Sequence, residues 1–199
     1  MLYILICLFK PLVWLFLRPK VYGNKKALGT KGKVIFICNH INLLDPIAIA
    51  LVSSRIVHFM AKKELFESRL GRLFFKLTYV FPVDRGTADL KSLKNALRLL
   101  DEGKAFGIFP EGRRMVADRM DEFELGTSFI AMRSGAPVVP IYIRNDSYGK
   151  KRVRMIVGEP IFASESSMQV SRRENEVIFM QRMRNTMNAL KRELEDKCS

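Results

Sequence analysis

Cys38-Asn39-His40-Ile41-Asn42-Leu43-Leu44-Asp45-Pro46 lies between two apolar runs, Val34-Ile35-Phe36-Ile37-Cys38 before it and Ile47 to Val52 after it. The first run does not alternate polar with apolar residues, so it predicts a strand buried on both faces. The second predicts a helix, with Asp45 at its N-cap and Pro46 at its first position. His40 then sits in a strand-to-helix loop, where open α/β sheets gather their chemistry.

An imidazole titrates near neutrality and can take a proton from an alcohol. A carboxylate on its other nitrogen fixes the tautomer and stabilises the imidazolium. His40 and Asp45 have the spacing for that pairing, and the same spacing fits a plain helix cap and a loop donor. Cys38 fits a Cys-His dyad with His40 or, more simply, a small apolar strand residue.

Composition narrows the classes. A chain of 199 residues has the mass for one domain with a real core, and 48% hydrophobic residues exclude general disorder. The net charge of +14 calls for an anionic partner, whether nucleic acid, a membrane surface or a phosphate-bearing substrate. Cys7, Cys38 and Cys198 are odd in number, with neither metal-ligand spacing nor a disulfide framework, which fits a reducing compartment.

Residues 1–17 are almost wholly apolar but are broken by Lys10 and Pro11. A spanning helix needs roughly 20 apolar residues, so this stretch is short. Its basic residues, Arg18, Lys20, Lys25 and Lys26, follow it, the reverse of a signal peptide. It reads as an interfacial helix with Trp14 and Tyr3 at headgroup depth and the basic residues facing anionic lipid. A core helix has the same composition. On this reading residues 1–30 form a membrane-associating helix and basic linker, and residues 31–199 form the catalytic domain.

Beyond residue 31, strands predicted at Val34–Cys38, Ile56–Met60, Tyr79–Val83, Ala105–Phe109, Pro137–Ile143 and Val153–Val157 alternate with helical segments. Leu90, Leu93, Leu97 and Leu100 recur at helical spacing until Gly103, Phe123 to Arg133 forms another helix, and Leu70 to Leu77 reads as amphipathic. Val177, Met180, Met183, Met187, Leu190 and Leu194 mark one packing stripe on a long final helix. Pro137 and Pro140 place their strand at an edge or a bulge. His58, between apolar residues, reads as a core histidine. The alternation predicts an α/β domain with a largely parallel or mixed sheet flanked by helices.

Three of these strands end in polar clusters: Asn39-His40, Asp84-Arg85-Gly86 and Glu111-Gly112-Arg113-Arg114. Parallel strands would bring the clusters to one sheet edge. Arginine offers a planar fork that matches phosphate oxygens, and Gly86 and Gly112 allow close backbone approach. A base beside a phosphate clamp suggests deprotonation of a hydroxyl on a phosphorylated substrate.

At these residues the chain resembles the glycerolipid acyltransferases, most of all the 1-acyl-glycerol-3-phosphate (lysophosphatidic acid) acyltransferases. NHINLLDP (39–46), FPVDRG (81–86), FPEGRR (109–114) and VVPIYI (138–143) match in order, with FMAKKELF (59–66) between them. The resemblance implies that His40 is the general base for a free glycerol hydroxyl and that Asp45 orients it. It implies that Arg85, Glu111, Gly112 and Arg114 hold the glycerol phosphate, with Lys62 and Lys63 as further candidates, and that Pro140 shapes the acyl-donor side. The co-substrate would be acyl-CoA or acyl-ACP, without metal or other cofactor. The partners would be the lysophospholipid and an anionic membrane surface at the cytoplasmic face, not nucleic acid. The same chemistry on glycerol 3-phosphate or a lyso-ornithine lipid is a competing reading, as is a non-catalytic basic membrane-binding protein. Two positions depart from the family pattern: Arg113 replaces a small polar residue, and Glu124 follows Phe123 where lysine is common.

Overall fold

The computed structural model describes residues 11–69, 72–73, 78–84, 90–114, 123–149, 152–163 and 171–198. Its frame is a seven-stranded sheet in the order β1-β7-β6-β2-β5-β3-β4. The strands are β1 Lys20–Gly23, β2 Val34–Cys38, β3 Val57–Lys62, β4 Val80–Val83, β5 Ala105–Ile108, β6 Val138–Ile143 and β7 Arg154–Val157. From β6 across to β4 every pairing is parallel, β7 runs antiparallel to β6, and β1 runs parallel to β7. The sheet is therefore mixed, with a parallel block that carries the polar clusters.

β2 is buried at every position, as its unbroken apolar run requires. Ile35 and Ile37 pack toward the helices Leu90–Asp101, Leu125–Ser134 and Arg172–Asp196. Val34, Phe36 and Cys38 pack on the opposite face, toward the helix Asp45–Val52 and Leu17 of a helical segment over 11–17. Among the described residues no helix is long and apolar enough to cross a membrane. Tyr3 and most of the Leu70–Leu77 stretch lie outside the described residues.

Several sequence expectations are corrected. β6 is not an edge strand; it lies between β7 and β2. Pro140 fits there because it faces Gly158, one residue past the end of β7, where the ladder has stopped asking for its missing N–H. Gly158 also supplies the space: a Cβ on it would meet Pro140 Cγ at 2.9 Å. Residues 20–23, read as basic linker, form strand β1 against β7. On the final helix the buried stripe runs through Phe179, Met183, Met187, Leu190 and Leu194, while Val177 is exposed. That helix opens with a capping box: Ser171 Oγ accepts the Glu174 amide, and Glu174 accepts the Ser171 amide. His58 is half-buried and satisfied, with Nδ1 3.2 Å from the Ala105 carbonyl oxygen.

Candidate active site

The parallel block places the C-terminal ends of β2, β5, β3 and β4 on one edge. In spatial order that edge carries Asn39-His40, then Glu111 to Arg114, then Lys62-Lys63, then Asp84. The described residues of the three clusters lie on this one edge, as the sequence predicted. Arg85 and Gly86 lie outside the described residues.

Asp45 sits one position later than predicted, inside the helix Asp45–Val52, with Leu44 as N-cap. Its carboxylate does not cap the helix but turns back across the loop. Oδ2 accepts the amides of Ile41 and Asn42, each at 2.7 Å, and lies 2.9 Å from His40 Nδ1. Oδ1 accepts the Tyr148 hydroxyl at 2.5 Å. A carboxylate that is 0% exposed is tolerable only with this many donors.

With Nδ1 turned to Asp45, Nε2 is the ring nitrogen left to accept a proton. The His40 side chain is 13% exposed, and its ring stacks on Phe109 with centroids 4.2 Å apart. Phe109 lies in turn against Phe59, at 5.9 Å. Phe59 occupies the space that Gly107 leaves open, since a Cβ there would lie 2.2 Å from its ring. The stack closes one face of the imidazole and holds its plane.

The Glu111 loop is tight. The Gly112 amide donates to the Phe109 carbonyl at 3.0 Å, and the Glu124 amide donates to the Pro110 carbonyl at 2.8 Å. Gly112 has φ 64°, and a Cβ on it would meet Glu124 Oε1 at 2.3 Å, so both backbone and space require glycine. Glu124 thus packs against this turn. Glu111 is buried, whereas Arg113 and Arg114 are exposed. Lys62 pairs with Glu64 at 3.0 Å, and Lys63 is exposed.

Burial pushes the Cys38 thiol pKa well up, and the negative charges of Asp45 and Glu111 push it further. A protonated, fully buried thiol is no nucleophile, so the strand-residue reading of Cys38 holds. Burial and then the Asp45 charge likewise raise the Tyr148 phenol, which stays a hydrogen-bond donor.

Beyond Phe109, on the face of the three longer helices, a cavity of about 330 Å3 is lined by Met60, Leu93, Ile108, Thr127 and Ile130, with Asp84 and Glu124 also on its wall. On the His40 face, Leu12, Val13, Leu15, Phe16 and Leu17 form an apolar groove with Leu44 and Ile47.

Comparison with known proteins defines the class. The Acyltransferase family model matches residues 18–144. The 1-acyl-sn-glycerol-3-phosphate acyltransferase of Bacillus subtilis is 32% identical over 184 residues, which cover 89% of this chain and 88% of that protein. The chloroplastic 1-acyl-sn-glycerol-3-phosphate acyltransferase BAT2 of Brassica napus is 23% identical over 177 residues, covering 83% of this chain and 51% of that protein. The crystal structure of the 1-acyl-sn-glycerophosphate (LPA) acyltransferase PlsC from Thermotoga maritima superposes with TM-score 0.72 at 22% identity, covering 96% of this chain and 77% of that one. The chain belongs to the acyltransferase family and is an acyl-transferring enzyme.

Sequence reasoning missed Tyr148 and Phe109 as neighbours of the His40–Asp45 pair. Phe109 was legible as the last apolar residue before the Glu111 cluster, on the strand next to β2. Tyr148 carried only a weak signal, an aromatic residue with a polar tip just past β6.

Proposed function

We propose that this enzyme transfers an acyl group from a thioester of coenzyme A or acyl carrier protein to the free hydroxyl of 1-acyl-glycerol 3-phosphate, giving phosphatidic acid. The observation that carries the reading is the His40–Asp45 pair, hydrogen-bonded at 2.9 Å at the edge where the polar clusters converge. His40 Nε2 takes the proton of the acceptor hydroxyl while Asp45 stabilises the imidazolium. The hydroxyl oxygen attacks the thioester carbonyl, and the tetrahedral intermediate collapses with loss of the thiolate. The imidazolium returns the proton to that sulfur, so the ester, free thiol and neutral histidine result. Transfer is direct, with no acyl-enzyme and no call for a metal.

Strand order supports the phosphate assignment. β5 neighbours β2, about 4.8 Å away, whereas β4 is three strands off, about 14 Å. Arg114 and Gly112, carried by the β5 loop, are thus the near phosphate contacts. Lys62 and Lys63 follow on β3 and its end, and Arg85, the candidate from the far cluster, lies outside the described residues. Glu111, the remaining candidate on this loop, is buried beside Gly112.

The membrane side is supported by exposed apolar residues. Leu15 and Phe16 are each 70% exposed and Leu43, in the His40 loop itself, is 67% exposed. Seated in one leaflet, this surface would let a lysolipid reach His40 without leaving the membrane. The test is acyl transfer by the purified protein, with both thioesters and a panel of lysolipid and glycerol 3-phosphate acceptors. The proposal expects 1-acyl-glycerol 3-phosphate to give the highest kcat/KM; a higher value for another acceptor overturns the substrate assignment.

A further inference from the structure

We propose that Tyr148 is a positioning residue for catalysis, its hydroxyl clamping Asp45 Oδ1 so that Oδ2 stays aimed at His40 Nδ1. The inference rests on the acyl-transfer reading above. Tyr148 lies outside the family match, which ends at residue 144.

The contact is built rather than incidental. Tyr148 has φ 81°, a left-handed conformation that a bulky side chain adopts only under constraint. The turn before it is pinned at its base. The Ser147 amide donates to the Arg144 carbonyl at 3.0 Å, and Ser147 Oγ accepts the Arg154 amide at 3.1 Å. Arg144 and Arg154 also flank Asp146, at 3.1 and 3.9 Å. The ring packs against the core on the His40 face, so the hydroxyl arrives at Asp45 from a rigid support.

The clamp has a definite chemical consequence. Oδ2 carries three hydrogen-bonding neighbours, the amides of Ile41 and Asn42 and the His40 ring. Those amides lie on the same loop as His40 and move with it. Tyr148 comes from the β6–β7 connection and therefore fixes the carboxylate against the sheet. Its donation also satisfies Oδ1, so the carboxylate keeps the rotation that presents Oδ2 to His40. Cys38 and Glu111 are the other ionisable groups that act on this buried cluster, and neither reaches Oδ1 with a hydrogen bond among the described contacts.

Tyr148→Phe removes the hydroxyl and keeps the ring that packs in the core. The expected result is a fall in kcat of about tenfold, the usual scale for loss of a supporting hydrogen bond, with both KM values within about twofold of wild type. In an Asp45→Asn background the same change should cost nothing further, because the residue acts through Asp45. Unaltered kcat in Tyr148→Phe, or an equal loss in both backgrounds, overturns the proposal. A second readout needs no substrate. The chain has only His40 and His58, so ring NMR signals assign readily. The His40 Nδ1 proton should exchange with water at least about tenfold faster in Tyr148→Phe, with the His58 ring unaffected as internal control. If wild type transfers no acyl group, the functional reading fails by itself, and unchanged His40 exchange in the variant still overturns the clamp.

Discussion

The Asn39 side chain continues the sheet where its own strand has ended. Nδ2 donates to the Ile143 carbonyl at 2.8 Å, and Oδ1 accepts the Ile143 amide at 2.7 Å. β2 stops at Cys38, paired with Ile141, so Asn39 adds one more rung with side-chain atoms. This rung holds the start of the His40 loop to β6.

Asn39→Ala should therefore cost stability as well as rate. It removes both partners from buried groups of Ile143, at about 1–3 kcal/mol for each unsatisfied group. A loss of about 3 kcal/mol would lower Tm by roughly 6–12 °C in a chain of this size. Calorimetry beside a kcat measurement checks this; an unchanged Tm would show that the rung does not hold the loop.

Arg114 is exposed, so its loss should affect binding and leave folding alone. A charge-assisted hydrogen bond contributes about 1.5–3 kcal/mol. Arg114→Ala should lower kcat/KM for the lysolipid by about ten- to a hundredfold, with the thioester KM and Tm unchanged. Arg114→Lys should recover part of this, since it keeps the charge and loses the fork. A raised thioester KM with a normal lysolipid KM would move the phosphate site, and Lys62 and Lys63 would be the next residues to test.

Leu15 and Phe16 offer a clean test of membrane docking. Deleting the whole segment would also remove Leu17, which is buried in the core, and would mix binding with folding. Leu15→Ser with Phe16→Ser removes exposed apolar surface, spares Leu17 and adds no charge that anionic lipid would repel. Burying each such side chain is worth about 1.5–3 kcal/mol, so binding to vesicles containing anionic lipid should fall at least about tenfold. Sedimentation with vesicles reads the outcome; undiminished binding would put the anchor elsewhere.

His58 predicts a pH dependence of stability. Burial lowers its pKa below 6.5, outweighing the Ala105 carbonyl, which pulls the other way. Below pH 6.5 the unfolded chain therefore binds this proton more readily than the folded one, and stability falls with pH there. Urea melts at pH 7.5 and 5 should show a smaller acid loss in His58→Gln than in wild type. Equal losses would remove His58 as a cause.

Much of the fold was legible because β2 and the neighbouring strands carry strong local patterns, and parallel pairing then forces His40, Glu111 and Asp84 to one edge. The place of β6 was not legible, because two prolines signal an edge unless Gly158 is known to lie opposite Pro140. β1 was hidden because Lys20–Gly23 is short and only half-buried, and its strand character comes from pairing with β7. The His40–Asp45 pair could be read from spacing, yet the direction of the carboxylate could not. Asp45 looked like a helix cap, and only the fold shows it turned back onto the Ile41 and Asn42 amides. Tyr148 escaped because its approach to Asp45 depends on a left-handed turn that no local pattern announces.

The most direct test of the account is the turnover of His40→Ala with 1-acyl-glycerol 3-phosphate and an acyl thioester. A positioned general base contributes about 10²–10⁴-fold, so kcat should fall by that factor in protein that a melting curve shows to be folded at the assay temperature, with some loss of Tm because the ring stacks on Phe109 and pairs with buried Asp45. Near-normal turnover by a folded His40→Ala protein would contradict the mechanism.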